Sequence, residues 1–158
     1  MGDNGAMTTT LSQRDGLKVL KQTFAVSSEA HRQAIDITSQ VRDALQSGEV
    51  HSGLVIANCL HTTCSVLIAE PRPALLEELA GLMNGLVDDE ARYKHNDPRL
   101  SDCERGNATA HLRASLLGHG VALGISDGTL LLDGLESILL AEFDGPRERR
   151  VHVQVLGV

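Results

Sequence analysis

Leu54-Val55-Ile56-Ala57-Asn58-Cys59-Leu60-His61-Thr62-Thr63-Cys64-Ser65-Val66-Leu67-Ile68-Ala69-Glu70 is the stretch whose reading decides how this chain folds. Two apolar runs, 54–57 and 64–69, read as buried strand segments separated by a polar junction. A plain hairpin more often turns on Asn-Gly or Asp-Gly. An imidazole and two hydroxyls in that place instead present polar groups at the rim of a rigid sheet, where a ligand can reach them.

Upstream, 17–26 and 34–37 also suit strands, with Ile35 and Ile37 on one face and Asp36 on the other. Thr38 or Ser39 can then cap a short helix that carries Val41 and Leu45 and stops at Gly48. Residues 1–14 are Gly-, Thr- and Asn-rich without apolar periodicity and read as a mobile tail, leaving 15–158 as a single domain.

Downstream, Pro71 and Pro73 break the sheet, and Leu75, Leu76, Leu79, Leu82, Met83 and Leu86 form a helical stripe over 74–86. Segment 88–109 has few aliphatic residues and reads as a polar loop, and a loop of about twenty residues in a compact domain is usually functional or disordered. A short helix over 108–117 and strands over 121–126, 129–132, 137–143 and 150–156 complete the chain, with Asp127-Gly128 as a hairpin turn. This order lacks regular βαβ alternation, so the expected fold class is α+β, a sandwich of mainly antiparallel β-sheets with two to three helices.

The 158 residues are 42% hydrophobic, which suffices for one core. Two Phe, one Tyr and no Trp leave that core to aliphatic residues and give little support to nucleic-acid recognition by base stacking. The net charge of −7 excludes a global pull on polyanions, although Arg99, Arg105 and Arg113 are close in sequence and could hold phosphate locally. Three cysteines, with no CxxC pair and no signal peptide, read as reduced thiols in a cytoplasmic protein. No apolar run approaches the roughly 18 residues of a membrane span.

Among the seven His residues, His61 at the strand junction, His95 in the polar loop and His111 on the following helix are the candidates for chemistry. Neutral imidazoles suit Zn and related divalent metals, but there is no HExxH or His-x-His pair, and each residue also reads as an ordinary structural or solvated histidine. Cys59 and Cys64 read as buried packing residues. Glu142 follows Ile138-Leu139-Leu140-Ala141, where a carboxylate is costly to bury unless it is paired or ligates a cation. The stretch Glu104-Arg105-Gly106-Asn107-Ala108-Thr109, just before a helix, is the best phosphate-binding candidate, with Arg105 and Arg113 adding charge. Its plainer reading is a capped helix start, with Asn107 or Thr109 as the cap.

Together, Leu60-His61-Thr62-Thr63, Ile68-Ala69-Glu70, Tyr93-x-His95, Ala110-His111-Leu112-Arg113, Asp127-Gly128-Thr129-Leu130 and the closing strand from Arg149 resemble the YjbQ-like family, commonly labelled secondary thiamine-phosphate synthase enzymes. The resemblance implies packed β-sheets, a homotrimer, and a His-lined site for a phosphorylated small molecule or anion, with weak thiamine-phosphate synthase activity. It assigns catalytic roles to His61, His95, His111 and Glu142, and substrate binding to Thr62, Thr63 and Arg113, to which the phosphate-binding reading of the helix start adds Arg105. A divalent metal, Zn or Mg, would sit at His61, His95 and His111. Non-catalytic metal or anion binding and metal-assisted hydrolysis are the alternatives. Where the family often reads Gly-Thr-Trp-Gln-Gly this chain has Asp133-Gly134-Leu135-Glu136-Ser137, and where it often reads Glu-His-Arg this chain has Glu142-Phe143-Asp144.

Overall fold

The computed structural model describes residues 8–102 and 104–158. Two antiparallel sheets face each other. Strands β1 (Thr8–Arg14), β2 (Leu17–Ser27), β4 (Gly53–Cys59), β6 (Gly120–Ser126), β7 (Thr129–Leu130) and β9 (Glu148–Gly157) form the larger sheet, in the order β1-β2-β9-β4-β6-β7. Strands β3 (Gln33–Asp36), β5 (Cys64–Ala69) and β8 (Ser137–Glu142) form the smaller one, in the order β3-β8-β5. Helices α1 (Thr38–Gly48), α2 (Pro73–Leu86) and α3 (Ala108–Leu117) complete the α+β architecture.

The core lies between the sheets because the strands alternate. In β2, Leu20, Phe24 and Val26 point inward, and in β9 Val151, Val153 and Val155 do the same with no exposed surface. They meet Cys64, Val66, Ile138 and Leu140 from the smaller sheet and Val41 and Leu45 from α1. Each fully buried valine contributes about 1.5–3 kcal/mol of transfer free energy. Strand β8 is buried at every position. Its second face is covered by α3, where Ala110 and Ala114 pack on Ala141 and Phe143.

Several expectations are corrected. The 54–57 and 64–69 segments do not share one sheet, because β4 belongs to the larger sheet and β5 to the smaller, so His61-Thr62-Thr63 is a crossover between layers. The expected mobile tail is a strand over Thr8–Arg14, paired with β2 through Asp15 and Gly16, whose φ of 50° and 83° suit a tight turn; the rest of that segment lies outside the described residues. Neither Thr38 nor Ser39 caps α1: Asp36 Oδ1 accepts the Thr38 N–H at 2.9 Å, and the Thr38 hydroxyl accepts the Ile138 N–H at 2.8 Å, tying the helix to β8. The expected helix over 74–86 forms as α2, with Met83 buried, Leu75, Leu76 and Leu79 half-buried, and Leu82 and Leu86 58% and 62% exposed.

Candidate functional site

Two crossovers run side by side at one end of the sandwich, the first from β4 to β5 and the second from β8 to β9. The Leu60 N–H donates to the Arg150 carbonyl at 2.9 Å, and the Phe143 N–H donates to the Thr63 carbonyl at 3.2 Å. Buried Cys59 braces the first crossover by donating its S–H to the Cys64 carbonyl at 2.9 Å.

Beneath His61 lies a buried polar chain. Glu142 on β8 and Arg149 on β9 are almost wholly enclosed and paired, with the Arg149 Nη2 to Glu142 Oε1 bond at 2.7 Å. Glu142 Oε1 also accepts the Phe143 and Asp144 N–H groups at 3.0 and 2.8 Å. Arg149 Nη2 donates to Thr63 Oγ1 at 2.8 Å, and Thr63 presents its hydroxyl at 3.0 Å and its backbone N–H at 3.2 Å to His61 Nδ1. Glu142 is therefore an anchor with its acceptor sites filled, and Thr63 is a link within the chain.

Those two donors fix the chemistry of His61. A nitrogen that accepts a backbone N–H carries a lone pair, so the ring proton of neutral His61 sits on Nε2. A second proton, on Nδ1, would face the Thr63 N–H. Burial is the main influence lowering the His61 pKa, followed by the Arg149 charge, while Glu142 and Asp144 pull the other way. His61 thus presents a neutral Nε2–H donor near pH 7.

His111 reaches the same crossover from α3, and the Thr62 backbone is among the influences that raise its pKa. His95 lies edge-on to it, with ring centroids 5.0 Å apart and an interplanar angle of 81°. Burial, then the charge of His95, lowers the His111 pKa, against the pull of Asp144. His95 is carried by a single helical turn, Lys94–Asn96, and Asn96 Oδ1 accepts the Ala108 N–H at 3.0 Å. Asn96 therefore does the work expected of Asn107 or Thr109, and it docks the His95 turn onto the start of α3. Asp144 stands beside the cluster, accepting from Asn107 Nδ2 at 3.1 Å and from half-exposed Arg105 at 3.4 Å.

Arg113 does not join this group. Two residues after His111 it projects from the other side of α3. There it is 1% exposed and donates to Asp89 at 2.9 and 3.2 Å, Asn84 at 3.1 Å and the Val87 carbonyl at 2.8 Å. Thr62 is exposed beside His61. Among the described residues no group of three or more His, Cys, Asp or Glu is arranged to hold a metal ion. The three imidazoles share a rim but do not form a ready ligand set, because His61 turns a protonated nitrogen outward.

Arg149, Asp144 and Asn96 are the site residues that motif reasoning missed. For Arg149 a signal existed, since period two from Val151, Val153 and Val155 places residue 149 on the inward face.

A family model described as UPF0047 protein YjbQ-like matches residues 22–158. The chain is 43% identical to a UPF0047 protein of Archaeoglobus fulgidus over 77% of its own length and 90% of the relative's. It is 33% identical to one of Methanothermobacter thermautotrophicus, covering 89% and 94%. A crystal structure of a YbjQ-like protein of unknown function from Sulfolobus solfataricus superposes with a TM-score of 0.82 at 29% identity, covering 90% of this chain and 99% of the other. A hypothetical protein from Aeropyrum pernix gives 0.79 at 31%, covering 87% and 98%.

Proposed function

We infer that this chain, which belongs to the UPF0047 YjbQ-like family, binds the phosphate or pyrophosphate of a phosphorylated small molecule at the rim formed by His61, His95, His111 and Arg105. The observation that carries this reading is the chain from Glu142 through Arg149 and Thr63 to His61, which holds a neutral imidazole with its Nε2–H outward. A preorganised neutral donor stabilises an oxyanion without first taking up a proton. Arg105 supplies the positive charge, and Thr62 an adjacent hydroxyl.

The reaction that the family resemblance favours is slow thiamine-phosphate synthesis. The C–O bond of a pyrimidine methyl diphosphate breaks with its electron pair passing to pyrophosphate, and the thiazole nitrogen of the second substrate captures the resulting cation. Here the protein positions both substrates and stabilises the leaving oxyanion, which requires no covalent intermediate. Titration with inorganic pyrophosphate should give saturable heat, and His61→Ala and His111→Ala should each weaken it about tenfold or more. Thiamine phosphate formation should fall in the same variants. Pyrophosphate affinity equal in wild type and both variants would remove this reading.

A second reading is a homotrimer that holds an anion or a divalent cation without turnover, or uses a cation for hydrolysis. It is favoured by the burial that keeps His111 unprotonated, the form that binds metals. Exposed Leu54, Ile56 and Leu131 on the larger sheet's side of the molecule favour assembly. Light scattering decides the assembly. Elemental analysis decides the metal, since stoichiometric Zn or Mg lost in His61→Ala and His111→Ala would establish it.

A further inference from the structure

Asp144 joins the two walls of the imidazole rim. Its backbone N–H donates at 2.8 Å to Glu142 Oε1, the oxygen that also takes Arg149 Nη2 at 2.7 Å, so it belongs to the chain that holds His61. Its side chain accepts from Asn107 Nδ2 at 3.1 Å, and the Asn107 carbonyl accepts the His111 N–H at 3.3 Å, one turn along α3. The carboxylate therefore stands between the strap that carries His61 and the helix that carries His111, and its charge acts on both rings.

The two oxygens of this carboxylate differ. Oδ2 gathers the contacts from Asn107, from Arg105 at 3.4 Å and from Arg147 at 3.8 Å. Oδ1 takes no hydrogen bond from the described residues and is not enclosed, the side chain keeping 11% of its surface exposed. An accessible negative oxygen is thus part of the rim.

Charge then decides which form of a ligand fits. Two guanidiniums share the Asp144 carboxylate, Glu142 and Arg149 cancel one another, and burial holds His61 and His111 toward the neutral form. These contacts leave less positive charge than a free diphosphate carries negative, and a polyanion set beside Oδ1 is repelled. A divalent cation reverses the sign of that contact. It cancels two charges on the anion, and a hard cation such as Mg²⁺ takes oxygen ligands, usually one or two carboxylates with the phosphates of the substrate.

Building on the phosphate-binding reading of this rim, we propose that Asp144 is its specificity-determining residue, admitting a diphosphate as the complex with a divalent cation and disfavouring the free anion. The cation arrives with the ligand. One carboxylate suffices for it, because the phosphates supply further oxygens. His61 does not compete, since its outward nitrogen is protonated.

The test is calorimetric titration of the full chain with inorganic pyrophosphate at constant ionic strength, with and without saturating magnesium chloride. Mg²⁺ should tighten binding to the wild type about tenfold or more. In Asp144→Asn, which keeps the shape and an acceptor for Asn107 and Arg105, free pyrophosphate should bind about tenfold tighter than it does to the wild type, and the gain from Mg²⁺ should shrink to about twofold or less. A wild-type affinity that is the same with and without Mg²⁺ would overturn the proposal while leaving the phosphate site standing, and this arm needs no variant. Retention of the full Mg²⁺ gain in Asp144→Asn would also overturn it, as would equal weakening of both forms, which would make Asp144 a structural brace. No saturable heat with either form in the wild type would remove the phosphate site and this proposal together.

Discussion

Replacing Glu142 by Gln tests the buried chain at its anchor. The substitution preserves shape but leaves the Arg149 guanidinium enclosed, 2% exposed at its side chain, without a counter-charge. Removing one member of a buried pair costs about 3–5 kcal/mol, because the stranded charge cannot return to water. At roughly 2–4 °C per kcal/mol for a domain of this size, the melting temperature should fall by about 6–20 °C. A second readout is electrostatic. Glu142 is among the charges that raise the His61 pKa and Arg149 among those that lower it, so the variant should push His61 further below its ordinary value. Calorimetry measures the first effect, and the pH titration of the His61 ring resonance measures the second. A melting temperature lowered by less than about 3 °C would refute the energetic argument. A His61 pKa that rises would refute the electrostatic one.

Stability should also depend on pH through the imidazoles. His61 and His111 both have lowered pKa values in the folded protein, against about 6.5 when unfolded, so on acidification the unfolded chain takes up protons first. Their contribution is complete above pH 6.5 and is lost as pH falls toward the folded values, so the urea midpoint should drop below about pH 6.5, less steeply in His111→Asn. Asn96→Ala should cost about 1 kcal/mol, as the loss of a helix cap does, and should weaken pyrophosphate binding by freeing the turn that carries His95; unchanged affinity would mean that His95 takes no part. The elemental analysis described above should give metal content well below stoichiometric in wild type, because His61 offers no free lone pair to the rim.

The strands and helices were legible wherever period and turn chemistry agreed. Alternation in β2 and β9 and the Asp127-Gly128 turn marked their elements directly. The sequence also placed His61, His95 and His111 in one group by resemblance. Which sheet a strand joins was not legible: β4 and β5 have the same composition as two strands of a hairpin, and only packing sends them to opposite layers. Asp15-Gly16 carried the same turn signal as Asp127-Gly128, but the polar residues of β1 gave no apolar pattern to pair with it. The α2 stripe marked its helix correctly, although helical periodicity reports an apolar face without saying what covers it. Arg113 misled for a geometric reason, since one short helix offers His111 to one side and Arg113 to the other. Asn96 left no mark, because its helix partner is formed by the fold rather than by neighbouring sequence.

The Glu142–Arg149 pair joins the smaller sheet to the larger. His61 hangs from the strap between those layers, while His111 rides on α3, which packs on the smaller sheet through Ala110 and Ala114. The opening of the imidazole rim is therefore geared to the distance between the sheets, with the ion pair acting as a rivet that sets it. A core change remote from every imidazole, such as a valine of β9 trimmed to alanine, should therefore act on pyrophosphate affinity as a change of gauge.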